Sequence, residues 1–149
     1  MTLEDLQKSI SSDKIKIKKA LDRLRYSSNK LDKLGRDIKA EDLENLEILE
    51  VWESFTSRFS RLSDIVSKKL IRSLVLKGDP SFRGSLIDFL NNAEKLGYIS
   101  NTNRWWAIRS LRNKEAHEYT DEDLINFFKS IRNEAEFLIS ETENLLKKI

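Results

Sequence analysis

The chain has no cysteine and only one histidine, His117, and these absences limit the chemistry it can perform. Without thiols, disulfides, thiolate zinc sites and cysteine nucleophiles are excluded. One histidine also excludes a histidine-rich metal site within one chain, and no acidic cluster indicates a carboxylate site for magnesium. We therefore expect neither a bound metal nor a cofactor.

Long apolar runs and a strong net charge are also missing. No run approaches the roughly 20 apolar residues of a membrane-spanning helix. The first residues, MTLEDLQKSI, lack the basic and then apolar regions of a signal peptide, so we expect a cytoplasmic protein with no membrane partner. The net charge is only +2, so binding to nucleic acid would need a local basic patch.

Glycine and proline are scarce, with four and one in the 149 residues, and they separate stretches of helical spacing. This pattern predicts one all-α domain, residues 1–149, folded as an up-and-down bundle of four to five helices. Predicted helices cover residues 3–34, 41–76, 84–96, a stretch from about 102 to the end of the RNKEAHEY motif, and 120–147. In the first helix, Ser12 or Asp13 offers a cap for a new start. The second would be about 54 Å long.

The candidate site is RNKEAHEY, residues 112–119, at the end of the fourth predicted helix. On an ideal helix Arg112 and His117 point about 140° apart, so one helix alone does not bring both onto a small substrate. A distorted helix end or a second copy of the motif would be needed to complete the site.

These residue types suit cleavage of an RNA phosphodiester without a metal. Histidine takes or gives a proton near neutral pH, and the arginine fork matches phosphate oxygens as phosphorus becomes five-coordinate. The alternative is structural, because a cation in the last turns of a helix is favourable for the helix dipole. Spacing alone favours that alternative.

The motif Arg112-Asn113-x-x-Ala116-His117-x-Tyr119 resembles the signature of HEPN domains, particularly HepT-like ribonuclease toxins. The context agrees, since that family is an all-α bundle with the motif just before a long final helix. The segments WESFTSRFSRLSDIVSKKL and GSLIDFLNNAEKLGYI also resemble family helices. The resemblance covers roughly residues 43–137.

The resemblance implies a homodimer in which two motifs meet in a cleft at the interface. Arg112 and His117 would be the catalytic residues of a metal-independent endoribonuclease toxin, and Asn113 a polar helper. Tyr119 would match the tyrosine that a cognate nucleotidyltransferase antitoxin modifies with AMP, which would block RNA by bulk and negative charge. The alternative is a non-catalytic nucleotide- or substrate-binding companion of a nucleotidyltransferase.

Basic residues outside the motif form two further groups. Four recur along the second predicted helix, where they make either a solvated face or a track for the RNA backbone that Arg104 and Arg109 extend: Arg58, Arg61, Lys68 and Arg72. A second group, in the first helix, is interpreted as plain surface: Lys14, Lys16, Lys18, Lys19, Arg23 and Arg25.

The adjacent tryptophans Trp105 and Trp106 cannot both point into one core. We expect one of them inside the bundle and the other at the dimer interface or the cleft, with burial at an interface favoured over base stacking. The helical spacing of the second helix places Trp52 in the core.

Overall fold

The first helix, α1, spans Leu3–Leu34, as the sequence predicts. The computed structural model describes residues 1–35, 37–114 and 120–149 of the chain. Thr2 caps α1, because its hydroxyl accepts from the Asp5 amide at 3.1 Å and the Asp5 carboxylate accepts from the Thr2 amide. These bonds to the carboxylate lower the pKa of Asp5. Neither Ser12 nor Asp13 starts a new helix, because α1 runs through both and buries Asp13.

The second predicted helix is divided. A short 3₁₀ turn covers Ala40–Glu44, and α2 then begins at Leu46, not at residue 41. The reason is Asn45, whose Oδ1 accepts from the amides of Glu47 at 3.1 Å and Ile48 at 3.3 Å. Helix α2 (Leu46–Asp64) continues through a π-helical turn (Ile65–Leu70) into α3 (Ile71–Gly78). We call these three segments together the central rod.

The core lies between α1, the central rod and the last helix, and its apolar residues match the predicted faces. Seven predicted core positions of the central rod are at most 2% exposed: Trp52, Phe55, Phe59, Leu62, Val66, Leu70 and Leu74. A second buried row adjoins this one along the rod. It is polar before the π-helical turn, with Thr56 and Ser60, and apolar after it, with Ile71 and Val75.

Three further helices complete the described chain. Helix α4 spans Leu86–Lys95 and is capped by Ser85, α5 spans Thr102–Lys114, and α6 spans Asp121–Lys148. The Thr120 hydroxyl accepts from the Asp123 amide at 3.1 Å, which confirms the predicted start of α6. Gly97 lies in the left-handed region at φ 82° and turns the chain after α4.

The described residues thus form an all-α bundle of five rods, α1, the central rod, α4, α5 and α6, which confirms the predicted fold class. Within the part of the chain that the structure describes, no helix is both long enough and apolar enough to cross a membrane.

Candidate functional site

Helix α5 carries the first half of the motif, and its own first half is firmly anchored. Asn101 caps it, because its Oδ1 accepts from the Arg104 amide at 3.1 Å. Thr102 is buried, and its amide donates to Glu94 Oε1 at 2.8 Å. Trp105 is 1% exposed, and its indole N–H donates to Glu141 Oε1 of α6 at 2.9 Å. These contacts set the direction in which the rest of α5 leaves the core.

Arg112 lies two turns further on and faces the central rod. Its Nε donates to Asp64 Oδ2 at 3.0 Å, and the two side chains are 33% and 26% exposed. The second oxygen of Asp64 lies 3.6 Å from Lys68 Nζ, which is a contact between charges rather than a hydrogen bond. Asp64 therefore holds Arg112 beside a second cation at the edge of solvent.

This pair opens onto a groove of about 740 Å³ between α1, the central rod and α5, which we call the basic groove. Seven of its lining residues are cations and one, Asp64, is an acid. The cations come from three helices: Lys16, Lys19, Arg23, Arg61, Lys68, Lys69 and Arg112. A groove of this composition holds a positive potential that attracts phosphate, although the net charge of the chain is close to zero.

Helix α1 supplies three of those cations, although the sequence predicts plain surface for them. Lys16, Lys19 and Arg23 are exposed at steps of three and four, so they share one face of α1. Lys14 and Arg25 point elsewhere, because Lys14 donates to the Ile149 carbonyl and Arg25 pairs with Glu143. The spacing of the three groove cations was a signal in the sequence, but only packing against the central rod shows what that face borders.

A second groove, of about 490 Å³, adjoins the first, and we call it the distal groove. It shares Lys16, Lys68 and Lys69 with the basic groove and adds Lys8 and Arg72. Its one acid, Asp13, is 6% exposed, and burial raises the pKa of this carboxyl, while Lys16 and Lys69 oppose the shift. The two grooves are therefore neighbours along the junction of α1 with the π-helical turn, with three cations lining both.

Of the four basic residues predicted along the second helix, three line the grooves and one contacts α1 instead. Arg61 lines the basic groove, Lys68 lines both grooves, and Arg72 lines the distal groove with its guanidinium 4.9 Å from the Phe89 ring centre. Arg58 instead joins α2 to α1, since its Nη1 donates to Ser27 Oγ at 2.8 Å. A role for these residues toward RNA stays a prediction.

Arg109, one turn before Arg112, lies over the same rod. It lines a smaller pocket of about 250 Å³ together with Lys68, Arg72 and Phe89. Its Nη1 is buried and meets no hydrogen-bond partner among the described residues. Helix α5 thus brings two arginines, one turn apart, to two pockets that Lys68 also lines.

Of the other motif residues predicted to have a role, the structure describes only Asn113. Asn113 is exposed and does not line the basic groove. His117 and Tyr119 lie outside the described residues, so their predicted catalytic and modification roles stay predictions. The structure thus brings Arg112 together with Arg61 and Lys68 in one groove, and Asn113 is not among the residues that line it.

One of the two tryptophans lies inside the bundle, as predicted. Trp105 is buried against Phe137, while Trp106 is 43% exposed. Whether Trp106 meets a second copy or an RNA base stays a prediction. Among the described residues, no group of three or more carboxylate or histidine side chains is placed to hold a metal ion.

Comparisons with models of protein families, with curated proteins and with solved structures find no match to this chain. The resemblance to HEPN domains therefore rests on the motif and its context in the sequence.

Proposed function

We propose that this protein is a HEPN-type, metal-independent endoribonuclease that uses Arg112 and His117. The observation that carries the proposal is the position of Arg112, which lines a groove with six other cations and is held there by Asp64. An arginine that only neutralised its own helix end would not need such surroundings. The all-α bundle, with the motif just before the final long helix, is consistent with the same proposal.

In the proposed reaction His117 takes the proton of an RNA 2′-hydroxyl. The 2′-oxygen then attacks the adjacent phosphorus, and the bond to the 5′-oxygen breaks as that oxygen receives a proton from a second acid. The products are a 2′,3′-cyclic phosphate and a 5′-hydroxyl end. Arg112 stabilises the five-coordinate phosphorus by charge and paired hydrogen bonds, and Asp64 keeps its guanidinium in place.

In this proposal a second copy of the chain supplies the second acid. Arg112 and His117 point about 140° apart on an ideal helix, so one motif cannot direct both side chains at one phosphate. Two antiparallel motifs would together place both kinds of side chain beside it. The homodimer would form beside α5, where Trp106 offers partly exposed aromatic surface.

The proposed setting is a two-gene toxin–antitoxin pair in the cytoplasm. A cognate nucleotidyltransferase would transfer AMP to the Tyr119 hydroxyl, two residues from His117 in the sequence. The added phosphate would repel RNA from the basic groove. Growth inhibition should then appear when the chain is expressed alone and disappear with its partner.

The test is RNA cleavage by purified His117→Ala and Arg112→Ala proteins, with growth inhibition as a second measurement. Each variant should lose at least about 100-fold in rate, because each loses a group that acts on the reacting phosphate. Arg132→Ala is the matched control, since Arg132 pairs with Asp32 of α1 outside both grooves and should leave the rate unchanged. Full cleavage by His117→Ala would contradict the proposal.

A second candidate is a nucleotide-binding companion of a nucleotidyltransferase. The volume of the basic groove supports this function, because about 740 Å³ lies within the usual range for small-ligand pockets. Equilibrium dialysis against ATP and other mononucleotides separates the two functions. Tight nucleotide binding by a protein that leaves RNA intact would support the companion and exclude the ribonuclease.

A further inference from the structure

We propose that the basic and distal grooves together form one binding track for the backbone of single-stranded RNA. The track would be walled on one side by α1 and would lead to Arg112. This inference deepens the proposed function and rests on it for the identity of the ligand as RNA. It also assigns a role to Lys8, Lys16, Lys19, Arg23 and Lys69, none of which belongs to the motif.

Continuity of charge is the first reason. The two grooves share Lys16, Lys68 and Lys69, so no uncharged gap separates them. Along α1 the cations extend from Lys8 to Arg23, which is about 22 Å of helical rise. A mononucleotide would occupy a small part of that length, whereas successive phosphates of a polymer would meet successive cations.

The nature of the polar groups is the second reason. Serine hydroxyls lie among the cations of both grooves: Ser57 and Ser60 in the basic groove, and Ser9, Ser12 and Ser73 in the distal groove. Lysine, arginine and serine are the side chains that most often contact phosphate and sugar oxygens without reading bases. Acids are few beside these cations, with Asp64 against seven cations in the basic groove and Asp13 against five in the distal groove.

The width of the track is the third reason, and it selects a single strand. The grooves lie between α1 and the central rod, which pack directly against each other. Axes of packed helices are about 8–10 Å apart. A nucleic-acid duplex is far wider than the valley between two helices packed at this distance, so it would touch only the rim, whereas one strand can enter.

The experiment measures binding of a fluorescent 12-nucleotide RNA that carries 2′-O-methyl groups, which the proposed reaction cannot cleave. The wall variant, Lys16→Ala/Lys19→Ala/Arg23→Ala, removes the three cations with which α1 lines the basic groove. The matched control, Lys18→Ala/Lys33→Ala/Lys129→Ala, removes the same charge from exposed positions away from both grooves. All six positions are exposed, so both proteins should fold, and circular dichroism checks this.

The wall variant should bind at least about tenfold more weakly than the wild type. Its affinity should also depend less on salt, with a log–log slope smaller by about 2 if three phosphate contacts of about 0.7 each are lost. The control should change affinity by less than about twofold. A duplex of the same sequence should bind the wild type at least about tenfold more weakly than the single strand does.

Length dependence tests whether the distal groove belongs to the track. Lys8→Ala/Arg72→Ala should weaken binding of the 12-nucleotide strand but leave binding of a dinucleotide unchanged. Equal weakening by the wall and control variants, equal affinity for duplex and single strand, or a dinucleotide that binds as tightly as the longer strand would each overturn the inference.

Cleavage assays separate failure of the track from failure of the proposed function. If the binding pattern holds but RNA is never cut, the track stands and the ribonuclease does not. If RNA is cut and the wall variant keeps the wild-type KM, the ribonuclease stands and the track does not.

Discussion

Helix α5 carries two arginine–carboxylate pairs of nearly equal geometry in very different surroundings. Arg104 Nε lies 2.9 Å from Glu134 Oε2, and Arg112 Nε lies 3.0 Å from Asp64 Oδ2. The first pair joins α5 to α6, and the Arg104 guanidinium lies 4.2 Å from the centre of the Phe137 ring. The second lies on the wall of the basic groove, where the other cations face solvent.

This difference shows that the N–O distance of an ion pair does not indicate whether the pair serves stability or function. In the first half of α5 the pair lies beside a buried tryptophan and adds to packing that already holds the helix. In the second half Ile108 is buried and Leu111 packs against the core, so apolar contacts hold this half as well. The Arg112–Asp64 pair lies at the groove, where it mainly sets the position of the arginine. We therefore expect substitution of Trp105 to change stability and substitution within the Arg112–Asp64 pair to change function.

The largest effect on stability should come from Trp105→Ala. It removes a side chain that is 1% exposed and leaves Glu141 without its indole partner, so the free energy of unfolding should fall by about 3–5 kcal/mol. Trp106→Ala is the adjacent control and should cost about 1 kcal/mol or less. Urea unfolding measures both, and equal losses would remove the distinction between the two faces of α5.

The next effect concerns function and rests on the proposed ribonuclease. Asp64→Asn keeps the shape of the side chain but loosens Arg112, so kcat for RNA cleavage should fall by about 10–100-fold. Binding of RNA should stay equal or become tighter, because the groove loses its one acid.

Glu134→Gln makes the same chemical change in the first pair and should leave cleavage within about twofold of wild type. Both variants should change the free energy of unfolding by about 1 kcal/mol or less, as expected for partly exposed pairs. An equal loss of kcat in the two variants would show that the pairs do not differ in role.

The smallest effect concerns the cap of α5. Asn101 has φ 50°, in the left-handed region, and its side chain accepts from the Arg104 amide. Asn101→Ala should cost about 1–2 kcal/mol, because it loses the cap and strains the backbone. Asn101→Gly relieves the strain and should cost less. If thermal unfolding shows equal losses, backbone strain contributes nothing at this position.

Most of the fold could be predicted from the sequence because apolar spacing and caps are local signals. The ends of α1 follow from Thr2 and Gly35, and the start of α6 follows from Thr120. The predicted start of the second helix was wrong because Asn45, four residues beyond it, caps α2. The π-helical turn was not predicted, since one extra residue in a helical turn leaves the apolar pattern nearly unchanged.

The surroundings of the candidate site could not be predicted from the sequence, for a physical reason. Arg112 belongs to the motif, but its partner Asp64 lies 48 residues away in sequence and on another helix. Arg58 has the spacing of a groove residue, yet its guanidinium binds Ser27 of α1. Spacing along one helix says which residues share a face, and it does not say what that face meets.

The sequence by itself determined the all-α class, the order of the helices and the residues of their apolar faces, because these depend on neighbours within a few turns. The sequence also predicts a candidate site at residues 112–119. Only the tertiary structure decided that Lys16, Lys19 and Arg23 of α1 meet Lys68 and Lys69 of the central rod. Cations from distant parts of the chain become one groove only when the helices that carry them pack together.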